Sequence, residues 1–258
     1  MKRFAVIAAS MLLCLALPAL GEDVTINFTG VANTSVQTLG AYAGYYTGTV
    51  TANGVTTTES PGFICDDYNN EIFLPSESWQ ANATSFASLL TPSVLGNTFF
   101  GNSIGLAGYA AIAYLSNLMA TTPASGQADI SAAIWYIGSL GTGTVSFSSL
   151  DAGAQAYVNY LLGNSTSAGL YDGTDGLSSA SAFTSAATSE LAGSSLWLYT
   201  PTGQDINPSG DPMPQEFVGN VPVPEGGAAL LYLLLAGFAC FGAMFIRARR
   251  PNTLTEMA

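Results

Sequence analysis

Between Arg3 and Arg247 the chain carries no positive charge. Its five basic residues are Lys2, Arg3, Arg247, Arg249 and Arg250, and it has no histidine. Every carboxylate in that interval must be accommodated without a salt-bridge partner, so the fold has to rest on apolar burial and neutral hydrogen bonds. The same distribution excludes whole classes of function. A nucleic-acid partner needs Lys or Arg to neutralise phosphates. Ser-His-Asp and Cys-His nucleophile pairs and histidine metal sites need an imidazole, and a phosphate-binding P-loop needs a lysine.

The basic residues flank the two apolar ends. Lys2 and Arg3 precede the uncharged run Phe4 to Leu17, then Pro18 and Ala19-Leu20-Gly21. A basic start, an apolar stretch too short to span a bilayer and small residues at Ala19 and Gly21 are the parts of a secretory signal peptide. Residues 1–21 are therefore expected to engage the Sec translocon and to be removed by signal peptidase after Gly21. Near the other end, residues 228–246 are uncharged and rich in Leu, Phe and Ala, and Arg247, Arg249 and Arg250 follow at once. As a helix this segment would be about 28 Å long, enough to cross a hydrocarbon core. The basic cluster behind it would stay cytoplasmic by the positive-inside rule, with residues 251–258 as a cytoplasmic extension and everything upstream exported.

Immediately before that segment lies Val221-Pro222-Val223-Pro224-Glu225-Gly226-Gly227. A short proline motif, one apolar helix and a basic cluster together resemble the PEP-CTERM sorting signal of bacterial surface proteins, over residues 221–250. Gly226 stands where that family places its second proline, and Pro251 to Ala258 extend past the usual end. The resemblance implies recognition of Pro222, Val223, Pro224, Glu225 and the arginines by an exosortase. It further implies a transient stay in the inner membrane as an anchored precursor, then delivery to the cell surface or extracellular matrix. A simple single-pass anchor is the alternative reading of the same tail.

What remains, residues 22–224, holds 15 of the 17 acidic groups, no basic ones and the single cysteine Cys65. Losing both ends takes the formal charge from −12 to −15, and no disulfide forms within such a chain. Periodicity divides it. Residues 22–80 alternate β-branched or aromatic with polar residues, and Asn53-Gly54 between two such runs signals a hairpin. Residues 103–193 read as helical: a nearly all-apolar helix from Ile104 to Met119, then faces marked by Ile130, Ala133, Ile134 and Ile137, and by Leu150, Ala154, Tyr157, Val158 and Leu161, with a fourth helix over 178–192. Residues 195–200 read as a strand returning to the first sheet, and residues 203–220 as an extended linker. The expected fold is α+β: an N-terminal antiparallel sheet (barrel or sandwich), a central helical segment and a C-terminal return strand, followed by the transmembrane helix.

The most distinctive segment is Phe63-Ile64-Cys65-Asp66-Asp67-Tyr68-Asn69-Asn70-Glu71-Ile72. Together with Gly44 to Gly48, Ile130 to Trp135 and Gln215-Glu216-Phe217 it resembles a recurrent group of PEP-CTERM surface proteins with a Cys-Asp-Asp-aromatic motif. The layout is also distantly similar to bacterial thioester domains, in which a strand cysteine is joined to a helix glutamine. Aligned on Ile134-Trp135, that glutamine position is Ser131, and Gln127 one turn earlier is the nearest substitute. Cys65 is thus the candidate reactive thiol, against the simpler reading of a small buried side chain in a β core. Asp66, Asp67 and Glu71 with Asn69 and Asn70, and separately Tyr171 to Gly176, offer the oxygens that Ca²⁺ takes. Neither matches an Asp-x-Asp-x-Asp-Gly loop, and turns and helix caps use the same residues. No catalytic motif is present. The expected function is a structural or binding role at the surface or in the matrix, with an extracellular polysaccharide or surface component as partner. Thioester adhesion through Cys65 and a carboxylate-pair glycan hydrolase are the alternatives.

Overall fold

A computed structural model of the chain describes residues 21–69, 77–162, 188–202 and 214–221. The alternating sequence of the first third forms strands β1 (Glu22–Val31), β4 (Tyr45–Ala52), β6 (Phe63–Cys65) and β7 (Ser78–Ser85), with β2 (Gln37–Thr38), β3 (Ala41–Tyr42) and β5 (Val55–Thr58) as short hairpin strands. Asn53 and Gly54 have φ of 50° and 77° and turn β4 directly into β5, as the Asn-Gly dipeptide predicts. Two later strands, β8 (Trp197–Pro201) and β9 (Phe217–Gly219), complete the sheet. All pairings are antiparallel. The order β1-β7-β8-β9-β6-β4 closes through a β4–β1 pairing, so six strands make a barrel and β5 continues the β6 side of β4. The sequence left barrel and sandwich open; the β1–β4 pairing decides for the barrel.

The register sorts side chains between two cores. Phe63 faces Tyr46, Cys65 faces Phe217, and Phe217 faces Tyr199, which places these residues on the inner face with Phe28 and Trp79. Phe28 is the hub: its ring lies 4.9 Å from Phe63, 4.8 Å from Trp79 and 4.6 Å from Phe217. Ala81 and Ala83 of β7 and Gly48 of β4 leave room for these rings. A Cβ on Gly48 would stand 3.0 Å from the Phe63 ring and 2.4 Å from the Asn27 carbonyl oxygen. The opposite register positions, Ile64, Val218 and Leu198, are buried on the outer face of the barrel and form part of the second core.

The helices supply the rest of that second core. After a short turn α1 (Pro92–Leu95) come α2 (Gly105–Met119), α3 (Ala124–Gly138) and α4 (Ala152–Leu162), with residues 188–193 also helical. Helix α2 buries ten of its 15 residues, as its nearly all-apolar sequence requires, and α3 packs against both α2 and α4. The return strand β8 pairs with β7 and so ties the helical segment back into the first sheet, giving one α+β domain.

One expectation needs correction. Residues 214–220 are no linker: Gln215 to Gly219 are buried, and β9 is the stave between β8 and β6 that closes the barrel. A strand of three residues carries too little periodicity to stand out between prolines. Residues 203–213 of the expected linker, residues 70–76 of the alternating stretch and most of the helix expected over 178–192 lie outside the described residues. Among the described residues no helix is long and apolar enough to cross a membrane, and the segment 228–246 lies outside them. The chain divides into two compact units, Met1–Val223 and Pro224–Ala258, of which the second is wholly outside the described residues.

Truncating the aromatic hub should be costly. Phe28→Ala is expected to lower unfolding free energy by about 3–5 kcal/mol, whereas Val55→Thr, at an exposed edge position, should stay within about 0.5 kcal/mol. Urea titration followed by the fluorescence of Trp79, Trp135 and Trp197 measures both.

Candidate functional site

Each residue of the Cys-Asp-Asp-Tyr segment has a defined contact where the barrel meets the helices. The Cys65 thiol donates to the Asp67 carbonyl at 3.0 Å, and the Cys65 carbonyl accepts from the Trp135 indole N–H at 3.0 Å. Tyr68 donates to the Leu39 carbonyl at 2.7 Å and packs its ring 5.2 Å from Trp135. Asp67 accepts from the Asn69 backbone N–H at 2.8 Å, a local turn, while the Gln215 carboxamide donates to the Asp67 carbonyl at 3.0 Å. The end of α3 approaches closely. A Cβ on Gly138 would lie 2.6 Å from the Asp66 carbonyl oxygen, so a side chain there would push the helix off the segment.

Below this turn, two carboxyl groups meet. Asp66 and Glu216 are both fully buried; Asp66 directly follows β6, Glu216 directly precedes β9, and the Asp66 N–H donates to the Glu216 carbonyl at 3.4 Å. The Glu216 carboxylate accepts from Tyr109 of α2 at 2.6 Å, from the Phe99 backbone N–H at 3.1 Å and from the Thr200 hydroxyl. Neither oxygen of Asp66 has a hydrogen-bond partner of ordinary geometry. Burial first, then the charges of Glu216 and Asp67, push the Asp66 carboxyl well above the usual carboxylate range. Burial also raises Glu216, against the opposing pull of its Thr200, Tyr109 and Phe99 donors. Three donors face Glu216 and none faces Asp66, so the surroundings favour the charged form at Glu216 over that at Asp66. Tyr109 links outward, its oxygen accepting from the Phe100 N–H at 3.2 Å.

Another buried acid, Glu59, holds the other end of β9. Glu59 accepts from the backbone N–H groups of Asn220 and Val221, and Tyr199 donates to the Val221 carbonyl at 2.9 Å. Burial raises the Glu59 carboxyl, while the two backbone donors oppose the shift.

The sequence-derived candidates fall as follows. Cys65 is a free, buried thiol in the barrel interior, and burial followed by the charges of Asp67 and Asp66 pushes it well above its ordinary value. On α3, Gln127, Ser131 and Trp135 lie one turn apart along the face toward β4 and β6. The Ser131 hydroxyl accepts from Gly44 N–H at 2.9 Å and Trp135 covers Cys65, but the Gln127 amide donates to the Thr122 carbonyl at 3.1 Å. The structure therefore engages Cys65 with Asp67 and Gln127 with Thr122. Among the described residues no group of three or more Cys, Asp or Glu is arranged to hold a metal ion. Glu71, Asn70 and Tyr171 to Gly176 lie outside them, as do Ala19, Pro222, Val223, Pro224, Glu225, Arg247, Arg249 and Arg250. Gly21 is described and lies against Asn82 and Thr84, directly before β1. Sequence reasoning missed Glu59, Phe99, Tyr109 and Thr200; none stands in a motif, and only an acid inside an apolar strand, as at Glu216-Phe217-Val218, hints at a buried carboxyl.

The chain matches no family model, no curated protein and no solved structure. Chemically, the acid pair is a closed internal proton site: with no exposed surface on Asp66 or Glu216, a substrate does not reach it in this conformation.

Two outcomes follow from these shifts. Asp66, Glu216 and Glu59 all have folded-state pKa values above the ordinary ~4, so above that pH the folded chain binds more protons than the unfolded one. Their contribution to stability is complete below about pH 4 and is lost as pH rises through the folded values. The urea midpoint should accordingly fall between pH 5 and 8 (roughly the span of ordinary buffers), and Asp66→Asn should flatten that slope. For the thiol, iodoacetamide at neutral pH should leave the native Cys65 peptide unmodified and alkylate it fully in guanidinium, read by peptide mass mapping. A Cys65 peptide found cross-linked to Gln127 with loss of ammonia would instead demonstrate the thioester.

Proposed function

We propose that this chain is the precursor of an exported surface or matrix protein, anchored transiently in the inner membrane and sorted by an exosortase, with a structural or binding role for its α+β ectodomain. The observation that carries this reading is the confinement of all five basic residues to the ends, each group abutting an apolar run of the appropriate length. The tail resembles a PEP-CTERM signal, and its motif begins at Pro222, one residue past the backbone that Glu59 and Tyr199 hold. Processing downstream of that clamp would leave β9, and with it the barrel, intact. A non-enzymatic role agrees with the sealed acid pair and with the lack of histidine, lysine or arginine in the ectodomain.

Intact-mass spectrometry of the protein recovered from its native host tests the reading. The expected chain begins at Glu22 and lacks residues 228–246. Finding the apolar segment and the arginines on all of the mature protein would reject sorting in favour of simple anchoring.

A further inference from the structure

Beside the sealed acid pair, the Asp67–Asn69 turn opens on a surface groove of about 470 Å³, within the range of small-ligand sites. The loop Phe99 to Ser103 and Thr142 complete its lining. Asp67 and Phe100 are its buried part, Phe99 is partly exposed, and Asn69, Asn102, Ser103 and Thr142 are exposed. The lining is fastened from below by the same network that holds the acid pair. Glu216 accepts from the Phe99 N–H, Tyr109 from the Phe100 N–H and Asp67 from the Asn69 N–H. Ser103 and Thr142 donate their hydroxyl protons to the Phe100 and Ser139 carbonyls at 3.0 Å and 3.2 Å, and Thr142 accepts from the Thr144 hydroxyl at 3.1 Å, which leaves each oxygen a lone pair to accept from a ligand. Groups held in place before binding lose little freedom on binding.

We propose that this groove binds an uncharged saccharide. This deepens the reading of the ectodomain as a surface binding module, and rests on it. The exposed lining is neutral throughout: two carboxamides that both donate and accept, two hydroxyl oxygens that accept, and the Phe99 ring as an apolar surface for the C–H face of a sugar. That set matches a ring bearing hydroxyl groups on its edge and hydrogens on its face. Anionic sugars, phosphates and sulfates are disfavoured, because residues 22–224 contain no cation to neutralise them and 15 acids to repel them. A cationic ligand is disfavoured because the groove's carboxylate, Asp67, is 1% exposed and already bound to Asn69, and no acid stands on the exposed lining.

The test is saturation-transfer NMR on the purified full chain in a zwitterionic detergent without a sugar headgroup. The probes are neutral tetrasaccharides of glucose, mannose and N-acetylglucosamine, with a galacturonate tetramer and cadaverine as charged comparators. Transfer to at least one neutral probe is expected, little changed by salt, and weakened roughly five- to tenfold by Asn102→Ala and by Phe99→Leu, each of which removes one contact. Asn117→Ala, on the exposed side of α2, should leave binding unchanged. Absence of transfer from every neutral probe, stronger binding of cadaverine or galacturonate, or binding indifferent to both groove variants would overturn the proposal. The outcome is separable from that of sorting: correct processing without sugar binding rejects only the groove, and sugar binding by an unprocessed anchored chain rejects only the sorting.

Discussion

With no cation between Arg3 and Arg247, the two buried acids that hold the closing strand of the barrel, Glu216 and Glu59, are met by neutral donors. Strand β9 is only three residues long, yet it completes the ring between β8 and β6. Glu216 fixes the start of β9 through Tyr109, Thr200 and Phe99, and Glu59 fixes its end through the N–H groups of Asn220 and Val221. Charged-acceptor hydrogen bonds of this kind are about twice as strong as neutral ones, which offsets part of the cost of desolvating the acid. They add to the pairing of this short strand with β8 and β6 and to the burial of Phe217 and Val218.

The same arrangement couples the barrel to the helices. Glu216 directly precedes β9 and reaches the helical side through Tyr109, while Phe217 next to it enters the lumen aromatic cluster, so one dipeptide joins both cores. Tyr109 reaches Glu216 from the most deeply buried helix, and Trp135 reaches the Cys65 carbonyl from the next. Asp66 brings a second carboxyl beside Glu216, and burial together with the charge of Glu216 raises it. The Cys-Asp-Asp-Tyr segment is therefore an architectural joint, and the chemistry it offers to solvent lies at its outer turn, where Asp67 and Asn69 border the groove.

Of the two acids, Glu59 holds the chain just before the proline motif. The Glu59 clamp and the Tyr199 bond grip the chain up to Val221, and the proline motif starts with the next residue. Under the proposed sorting, a cut downstream of Val221 would leave β9 and its clamp in place.

Much of this was legible in the chain itself. Alternation in Val24, Ile26 and Phe28, the Asn53-Gly54 turn, the apolar run of α2 and the Leu196 to Tyr199 return strand each carry a local signal, because period and turn chemistry are properties of neighbouring residues. The charge map, too, belongs to the sequence alone, and it bounds the function. What only the tertiary structure decided are the relations between distant residues. The β1–β4 closure that makes a barrel, the conversion of 214–220 from apparent linker to closing strand, the meeting of Asp66 with Glu216, and the separate partners of Cys65 and Gln127 all depend on segments far apart in the chain. A carboxylate's burial and its donors are set by what folds against it, and no local pattern encodes that.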